Sequence, residues 1–315
     1  MTRLVMLLCM FFIVSCTTDP KFSNDKRKLS ERYVEMGVRY MQMGKLNIAL
    51  ERLEQAVDTD DDNVNAQNSL AVFYEGISNY GRAKDHFDEA LSLDPESPMV
   101  LNNYGRFLCG RGDIDQGLVH LLKSANMALN ERPWFAMTNV GICEFKRGNS
   151  QQAEAYYRRA LIVNPSYEPA LLNMAEISYD KSEFMKTRAF LERFLNYRDA
   201  TPNALVLGFL AEQALGQDEK SEEYKTLLLS RFPLSDEAAK VRQMQDLMPV
   251  QKDIPSRLIK PGSNQGKVSN VNATEIVNKL EPSALSEAKV SPEIDLMETE
   301  SEQAITVEPA VQATE

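Results

Sequence analysis

The amino-acid sequence predicts an all-α protein built from a tandem array of helix pairs. Two observations carry this prediction: a spacing of 34 residues recurs through the middle of the chain, and glycine or proline stands at matching places in successive stretches. Hydrophobic residues make up 43% of the 315 residues, which is enough for a core of substantial size. The net charge of -11 argues against a nucleic-acid partner, because binding phosphates requires a basic surface.

Residues 1–15 have the pattern of a secretory signal peptide. After the charge at Arg3, residues 4–14 form an apolar run that is too short to cross a bilayer, which takes about 20 residues. The run ends at Cys16 in the string IVSC, which resembles a bacterial lipobox. That resemblance implies that Cys16 is lipidated after cleavage; an ordinary signal peptide with a chance cysteine is the alternative. Thr17, in place of an aspartate, implies an outer-membrane lipoprotein that faces the periplasm.

The remaining chain divides into three parts by composition. Residues 16–29 are polar and are expected to form a lipidated, flexible tether. The repeat array is placed at residues 30–248, and it includes a capping helix over residues 236–247. Residues 249–315 contain no Phe, Trp or Tyr and are predicted to be a disordered acidic tail, because they cannot bury enough apolar surface to offset the entropy of ordering.

Each stretch of the array is led by one position, and successive positions are 34, 34, 36, 34 and 34 residues apart. These positions hold Gly37, Ala71, Gly105, Gly141, Ala175 and Phe209, of which the last is out of pattern because the others are small. Small residues here would let the second helix of each pair approach closely. The spacing of 36 indicates an insertion near residues 129–134. A sharp turn between the helices of a pair is predicted at Gly44, Gly112, Gly148 and Gly216, since glycine adopts the left-handed conformation without strain.

This pattern resembles the tetratricopeptide repeat, a helix–turn–helix unit of 34 residues. The resemblance implies a right-handed superhelical solenoid of about six repeats, with a concave groove that binds proteins and is lined by the first helix of each repeat. The predicted partner-binding groove consists of Val38, Met41, Val72, Asn102, Arg106, Asn139, Ile142, Phe145 and Tyr179. Asn102, Asn103, Asn139 and Phe145 are expected to hydrogen-bond to and stack on an extended segment of the partner. The alternative is that groove residues pack against one another.

Motifs of enzyme chemistry are missing from the sequence, which has no Walker loop, HExxH, GxSxG or GxGxxG string. His86 and His120 lie 34 residues apart at equivalent repeat positions, which favours a packing role over a pair of metal ligands. The acidic run at residues 58–62 lacks the glycine and the distal glutamate of an EF-hand loop. The sequence therefore predicts a non-enzymatic protein without a cofactor, a metal or a small-molecule substrate.

Besides Cys16, the predicted mature chain contains two cysteines, Cys109 and Cys143. They lie on the first helices of neighbouring predicted repeats, so their side chains could face each other in the oxidising periplasm. A disulfide and a pair of buried free thiols are both compatible with the sequence.

Three strings, at residues 101–121, 139–161 and 164–179, resemble the PilF/PilW family of type IV pilus biogenesis lipoproteins. With the lipobox, the repeats and the capping helix, the resemblance covers the chain from Cys16 to Met248. It implies a pilotin, an outer-membrane lipoprotein that helps the pilus secretin to insert and multimerise, and hence supports pilus extrusion and twitching motility. The implied partners are the secretin and, through the lipid on Cys16, the membrane. A general scaffold for envelope or peptidoglycan enzymes is the second hypothesis.

Overall fold

The computed structural model describes residues 20–247, which form thirteen helices and contain no strand within that range. The helices fall into two units that divide after Pro95. The first unit holds α1 (Pro20–Gln42), α2 (Leu46–Thr59), α3 (Val64–Gly76) and α4 (Tyr80–Leu93). The second unit holds α5 (Pro98–Gly110), α6 (Ile114–Asn126), α7 (Pro133–Lys146), α8 (Ser150–Val163), α9 (Glu168–Asp180), α10 (Phe184–Tyr197), α11 (Pro202–Ala214), α12 (Asp218–Arg231) and α13 (Asp236–Leu247).

Successive helices pack in pairs, which confirms the predicted all-α class and the helix–turn–helix repeat. In the first unit α1 packs on α2 and α3 packs on α4, and in the second unit the pairs run from α5 and α6 to α11 and α12. The first helices of neighbouring pairs also touch, since α1 contacts α3, α5 contacts α7, and α9 contacts both α7 and α11. The signal peptide, Cys16 and the tail at residues 249–315 lie outside the described residues. Between residues 20 and 247, no helix combines the length and the apolarity that a membrane crossing needs.

The predicted turns between paired helices are confirmed by the backbone. Four glycines have a positive φ there, namely Gly44 (69°), Gly112 (90°), Gly148 (86°) and Gly216 (68°). The same place in the other two pairs is taken by Ser78 and Ser182, with φ of 60° and 58°. All six pairs therefore share one turn geometry, and serine accepts the left-handed conformation at a small cost in two of them.

Close approach within each pair depends on the small residues that the sequence singled out. A Cβ added at Gly37 would lie 2.6 Å from the Leu53 side chain, and one added at Gly105 would lie 2.8 Å from the backbone oxygen of Gly117. In the last pair the prediction was wrong by one position. The residue without space for a Cβ is Gly208, 2.8 Å from the Tyr224 ring, whereas Phe209 is a buried core residue.

The first helix begins earlier than the sequence predicted. Residues 20–29, expected in the flexible tether, form the start of α1, and residues 24–29 are exposed along it. Pro20 suits the first position of a helix, since its missing N–H would have no partner there. Arg27 and Glu31 form an i, i+4 ion pair at 3.4 Å on the same segment.

The predicted capping helix is present as α13 and closes the core of the last pair. Ala238 and Val241 are completely buried in a cluster with Leu205, Phe209 and Leu228 from α11 and α12. At the junction before it, Arg188 of α10 donates two hydrogen bonds to the carboxylate of Glu212 of α11, which is only 2% exposed. The buried carboxylate of Glu212 is thus paired with a guanidinium group, which offsets the cost of removing it from water.

Candidate partner-binding site

In the first unit, the predicted groove positions do not form one open surface. Val38 and Met41 of α1 are half-buried, whereas Val72 of α3 is only 2% exposed. Helix α3 is packed between α1, α2 and α4, so that its residues from Ala66 to Tyr74 are all buried. The assignment of Val72 to a partner-binding surface was therefore wrong, because its side chain belongs to the core.

In the second unit, the predicted asparagines bind each other. Asn102 of α5 is 4% exposed, and its Oδ1 accepts a hydrogen bond of 2.8 Å from Nδ2 of Asn139 on α7. Its own Nδ2 donates to Oδ1 of Asn103 at 3.3 Å. These contacts satisfy amides that burial removes from water. The amide of Asn102 is buried and paired within the chain, as the alternative of groove residues packing against one another describes. Asn139 stays half-buried, and its hydrogen bond to a partner stays a prediction. Arg106, one turn beyond Asn102, is half-buried.

Six half-buried apolar side chains of α7 and α9 pack against one buried cluster, and four of them form the set that we call the α7–α9 face. It consists of Ile142 and Phe145 of α7 and of Leu172 and Tyr179 of α9. All four pack against the same buried cluster, which includes Leu171 and Met174, and each keeps part of its surface accessible. Residues three or seven apart share one side of a helix, so each pair is presented together. The structure thus packs Ile142, Phe145 and Tyr179, all predicted from the sequence, against one buried cluster with part of each side chain accessible.

An acidic group lies within the α7–α9 face, between Leu172 and Tyr179 on α9. Glu176 accepts a hydrogen bond of 2.6 Å from Nδ2 of Asn203 on α11. Burial, opposed by that hydrogen bond and helped by the nearby charge of Asp180, raises the pKa of Glu176 to about 7. The carboxyl group is therefore half-protonated near neutral pH and can either accept or donate a hydrogen bond. Nothing in the sequence placed Asn203 at the site, because this residue simply follows Pro202 at the start of a helix.

Cys109 and Cys143 are joined as a disulfide in the structure, with Cα atoms 5.7 Å apart. The bond connects α5 to α7, next to the Asn102–Asn139 contact. Space for the sulfur comes from Gly117 on α6, since a Cβ at that residue would overlap Sγ of Cys109. Most other pairs have alanine at this position, so the glycine and the cysteine fit each other sterically.

The two histidines pack on aromatic rings. His86 stacks on Tyr74 with ring centroids 5.4 Å apart, and its Nδ1 lies 2.8 Å from Oε1 of Gln67. Burial is the main cause that lowers the pKa of His86. His120 stacks on Tyr104 at 5.1 Å. Across residues 20–247, no group of three or more His, Cys, Asp or Glu side chains is placed to hold a metal ion.

Comparison with known proteins identifies the repeat and the relatives. A family model described as "Tetratricopeptide repeat" matches residues 34–98. The type IV pilus assembly protein PilF of Pseudomonas aeruginosa is 24% identical over 213 residues, which are 68% of this chain and 84% of that protein. The crystal structure of PilW, a widely conserved type IV pilus biogenesis factor, matches with a TM-score of 0.61 at 28% identity, covering 68% of this chain and 98% of PilW.

A structure of Pseudomonas aeruginosa PilF has the same TM-score of 0.61 at 23% identity, and it covers 70% of this chain and 99% of that one. At this identity the likeness shows the shared fold, and the relationship rests on the PilF sequence and on PilW. The match covers more than four fifths of the PilF sequence and almost all of the PilW structure. The chain is therefore a tetratricopeptide-repeat protein that is similar to PilF and PilW in sequence and in fold.

Proposed function

We propose that this protein is an outer-membrane pilotin of type IV pilus biogenesis, which binds the pilus secretin and promotes its localisation and multimerisation. Its relatives PilF and PilW are named for type IV pilus assembly and biogenesis. The repeat fold is a protein-interaction scaffold, and a non-enzymatic role in assembly agrees with it. Lipidation at Cys16 would hold the protein at the outer membrane, facing the periplasm.

The observation that carries this proposal is the α7–α9 face. Interface energy is concentrated in a few large side chains, with aromatic residues foremost, that become fully desolvated in the complex. Phe145 and Tyr179 are half-buried aromatic residues, held in place by the core behind them, so little side-chain entropy is lost on binding. Glu176, on the same helix as Tyr179, accepts a hydrogen bond from Asn203 and supplies a half-buried polar group next to these apolar side chains. A protein segment therefore fits this face better than a small molecule or a nucleic acid.

The proposed function is tested by truncating the face. Phe145→Ala combined with Tyr179→Ala should lower the amount of secretin multimers in outer-membrane extracts at least tenfold. The control is Leu129→Ala with Ile162→Ala, because both side chains are large, apolar and more exposed, at 87% and 78%, and lie outside the face. Circular dichroism must show that both variants keep their helical content. Normal multimers in the face variant, or recovery of cell-wall hydrolases instead of secretin in a pull-down, would reject the proposal.

The anchor is tested separately at Cys16. Cys16→Ser should leave the protein in the soluble periplasmic fraction or unprocessed, because the acylated sulfur is lost. Membrane fractionation and intact-mass measurement report this directly. A variant that still floats with outer-membrane vesicles at wild-type levels would show that the lipid on Cys16 is not the anchor.

A further inference from the structure

Glu176 is a charged residue in a row of positions that is otherwise apolar. The 34-residue spacing places Ile142 of α7, Glu176 of α9 and Leu210 of α11 at equivalent positions, and α9 contacts both flanking helices. Leu210 is only 9% exposed, and Ile142 is half-buried. Leu172 and Tyr179, four residues before and three residues after Glu176, share its side of α9. The carboxylate is thus bordered by apolar side chains along the row and along the helix.

The carboxylate of Glu176 has one oxygen without a partner. Oε1 accepts the hydrogen bond from Asn203, whereas Oε2 has no hydrogen bond or ion pair with any residue that the structure describes. Asp180, one turn further along α9, also lacks an ion pair within residues 24–244, and burial raises its pKa. Two acidic groups at this surface therefore have no cation from the chain itself.

Cations near α9 are engaged with other carboxylates. Lys181, directly after α9, pairs with Glu154 of α8, and Arg158 of α8 pairs with the same carboxylate. Arg188 of α10 donates to Glu212 of α11. The other cations of α8 and α10 also have contacts elsewhere: Arg159 lies over Tyr156, Lys186 pairs with Glu183, and Arg193 donates to the backbone oxygen of Pro165.

The remaining titratable groups around Glu176 do not neutralise it. Lys146 holds the position of α7 that corresponds to Asp180, but it is exposed and forms no ion pair with that carboxylate. From α8, the phenol of Tyr157 is close enough for the charge of Glu176 to raise its pKa, and it is neutral in the same pH range. From α11, Asn203 supplies an uncharged amide. The free oxygen of Glu176 is therefore available to a positive group of another molecule.

A partner that covers the α7–α9 face must meet this carboxylate. Covering it with an apolar or uncharged group would remove the last water from an ionised oxygen, which is costly unless the charge is paired. A lysine or arginine of the partner donates to that oxygen and offsets the cost, while apolar residues beside it pack on Phe145 and Tyr179. A carboxylate that lies among apolar side chains without its own cation is typical of a binding site.

We propose that Glu176 is the specificity-determining residue of the α7–α9 face, and that it recognises a partner segment in which a lysine or arginine stands among apolar residues. The cationic group donates a hydrogen bond to Oε2 of Glu176, and Asp180 adds a second negative charge one turn away. The inference rests on the proposed function in taking this face as the binding surface, and it adds the chemistry of the segment that binds there.

The test uses peptides as the probe and omits the secretin. Random twelve-residue peptides displayed on phage are selected at pH 8 against the mature chain with Cys16→Ser. Peptides from the parent chain should share one aligned position at which lysine and arginine are at least threefold more frequent than with Glu176→Gln. Glu89→Gln, which removes an exposed carboxylate of α4, is the matched control and should recover the same peptides as the parent. The two variants have equal net charge, so unspecific attraction of cations cannot cause the difference.

The pH dependence of binding is measured by calorimetry with one selected peptide and with its counterpart in which the basic residue is glutamine. The parent chain should bind the basic peptide about tenfold more tightly at pH 8 than at pH 6, because a group with a pKa of about 7 is mostly protonated at the lower pH and mostly ionised at the higher. Glu176→Gln should weaken binding of the basic peptide at least tenfold at pH 8 and should remove the pH dependence. The glutamine peptide should bind both chains equally.

Two results would overturn the inference. The first is a selection without an aligned basic position, or with the same basic position for Glu176→Gln as for the parent. The second is an affinity for the basic peptide that Glu176→Gln leaves unchanged at pH 8. Because the secretin takes no part in these measurements, failure here leaves the secretin experiments as a separate test of the proposed function.

Discussion

Helix α7 has two different neighbours in the second unit, and the difference indicates where a partner can bind. Toward α5 it is connected by the Cys109–Cys143 bond and by the hydrogen bond between Asn102 and Asn139. Toward α9 it presents side chains that stay half-exposed, among them Ile142 and Phe145. At the α5–α7 contact, the asparagine side chains hydrogen-bond to each other, so this contact stabilises the fold. The α7–α9 face retains accessible apolar surface, so it is the part that a partner can still bury.

Of the changes predicted here, removal of the disulfide that joins α5 to α7 should lower the stability of the fold the most. Cys109→Ala with Cys143→Ala opens a loop of 34 residues and should lower the free energy of unfolding by about 2–4 kcal/mol, while binding of secretin through the α7–α9 face persists. Denaturant unfolding of the mature chain with Cys16→Ser measures this loss. Reductant should destabilise the parent chain by a similar amount and leave the alanine variant unchanged.

The oxidation state itself is checked on the same protein purified from cells without reductant. Alkylation without reductant should add no label to Cys109 or Cys143, and alkylation after reduction should add two. Two labelled cysteines without reductant would contradict a bridge in the native protein.

Adding a methyl group where α5 crosses α6 should have the next largest effect on stability. Gly105→Ala places a Cβ 2.8 Å from the backbone oxygen of Gly117 and 2.7 Å from the Leu121 side chain, so the helices must separate. The expected loss is about 2–3 kcal/mol, the usual cost of overpacking. Gly110→Ala is the matched control, because it lies on the same helix with nothing within 4 Å, and it should change stability by less than about 1 kcal/mol. Equal effects of the two substitutions in thermal unfolding would show that the close crossing is not required.

The smallest predicted effect concerns Glu176 on the α7–α9 face. Its pKa is raised from 4.5 to about 7, so between these values the folded chain binds more protons than the unfolded chain, and stability falls as the pH rises through this window. Glu176→Gln removes the buried charge and keeps an acceptor for Asn203. The variant should therefore exceed the parent in stability by about 1–2 kcal/mol at pH 8 and match it near pH 4.5.

Thermal unfolding at several pH values measures this difference. Glu89→Gln, at an exposed position of α4, serves as the control and should follow the parent at every pH. A Glu176→Gln variant that is less stable than the parent at pH 8 would show that the carboxylate form is the one that the fold stabilises.

The sequence predicted the helix pairs well because their constraints are local and repeated. A glycine or serine with positive φ and a small residue at the helix crossing recur in each pair, so the 34-residue period locates them without knowledge of the core. The exception, Gly208 in place of Phe209, shows that the period fixes a position only to within one residue when a repeat is degenerate.

The candidate site was harder to predict because exposure depends on neighbours that the period does not specify. Asn102 and Asn139 are separated by 37 residues, and nothing in their spacing shows that they meet. Val72 lies at a position that lines the groove in the repeat pattern, yet it is buried, because α3 packs against α1, α2 and α4. Ile142, Phe145 and Tyr179 pack against one cluster and keep part of their surface exposed, and their role in binding a partner stays a prediction.

The most direct test of the central claim is site-specific crosslinking in the cell envelope. A photo-reactive amino acid placed at Ile142, on the α7–α9 face, should capture the pilus secretin, because this side chain is half-exposed beside Phe145. The same probe at Leu129, which is 87% exposed and outside the face, should capture little or none. Capture of secretin from Leu129 but not from Ile142 would contradict the assignment of the α7–α9 face as the partner-binding site.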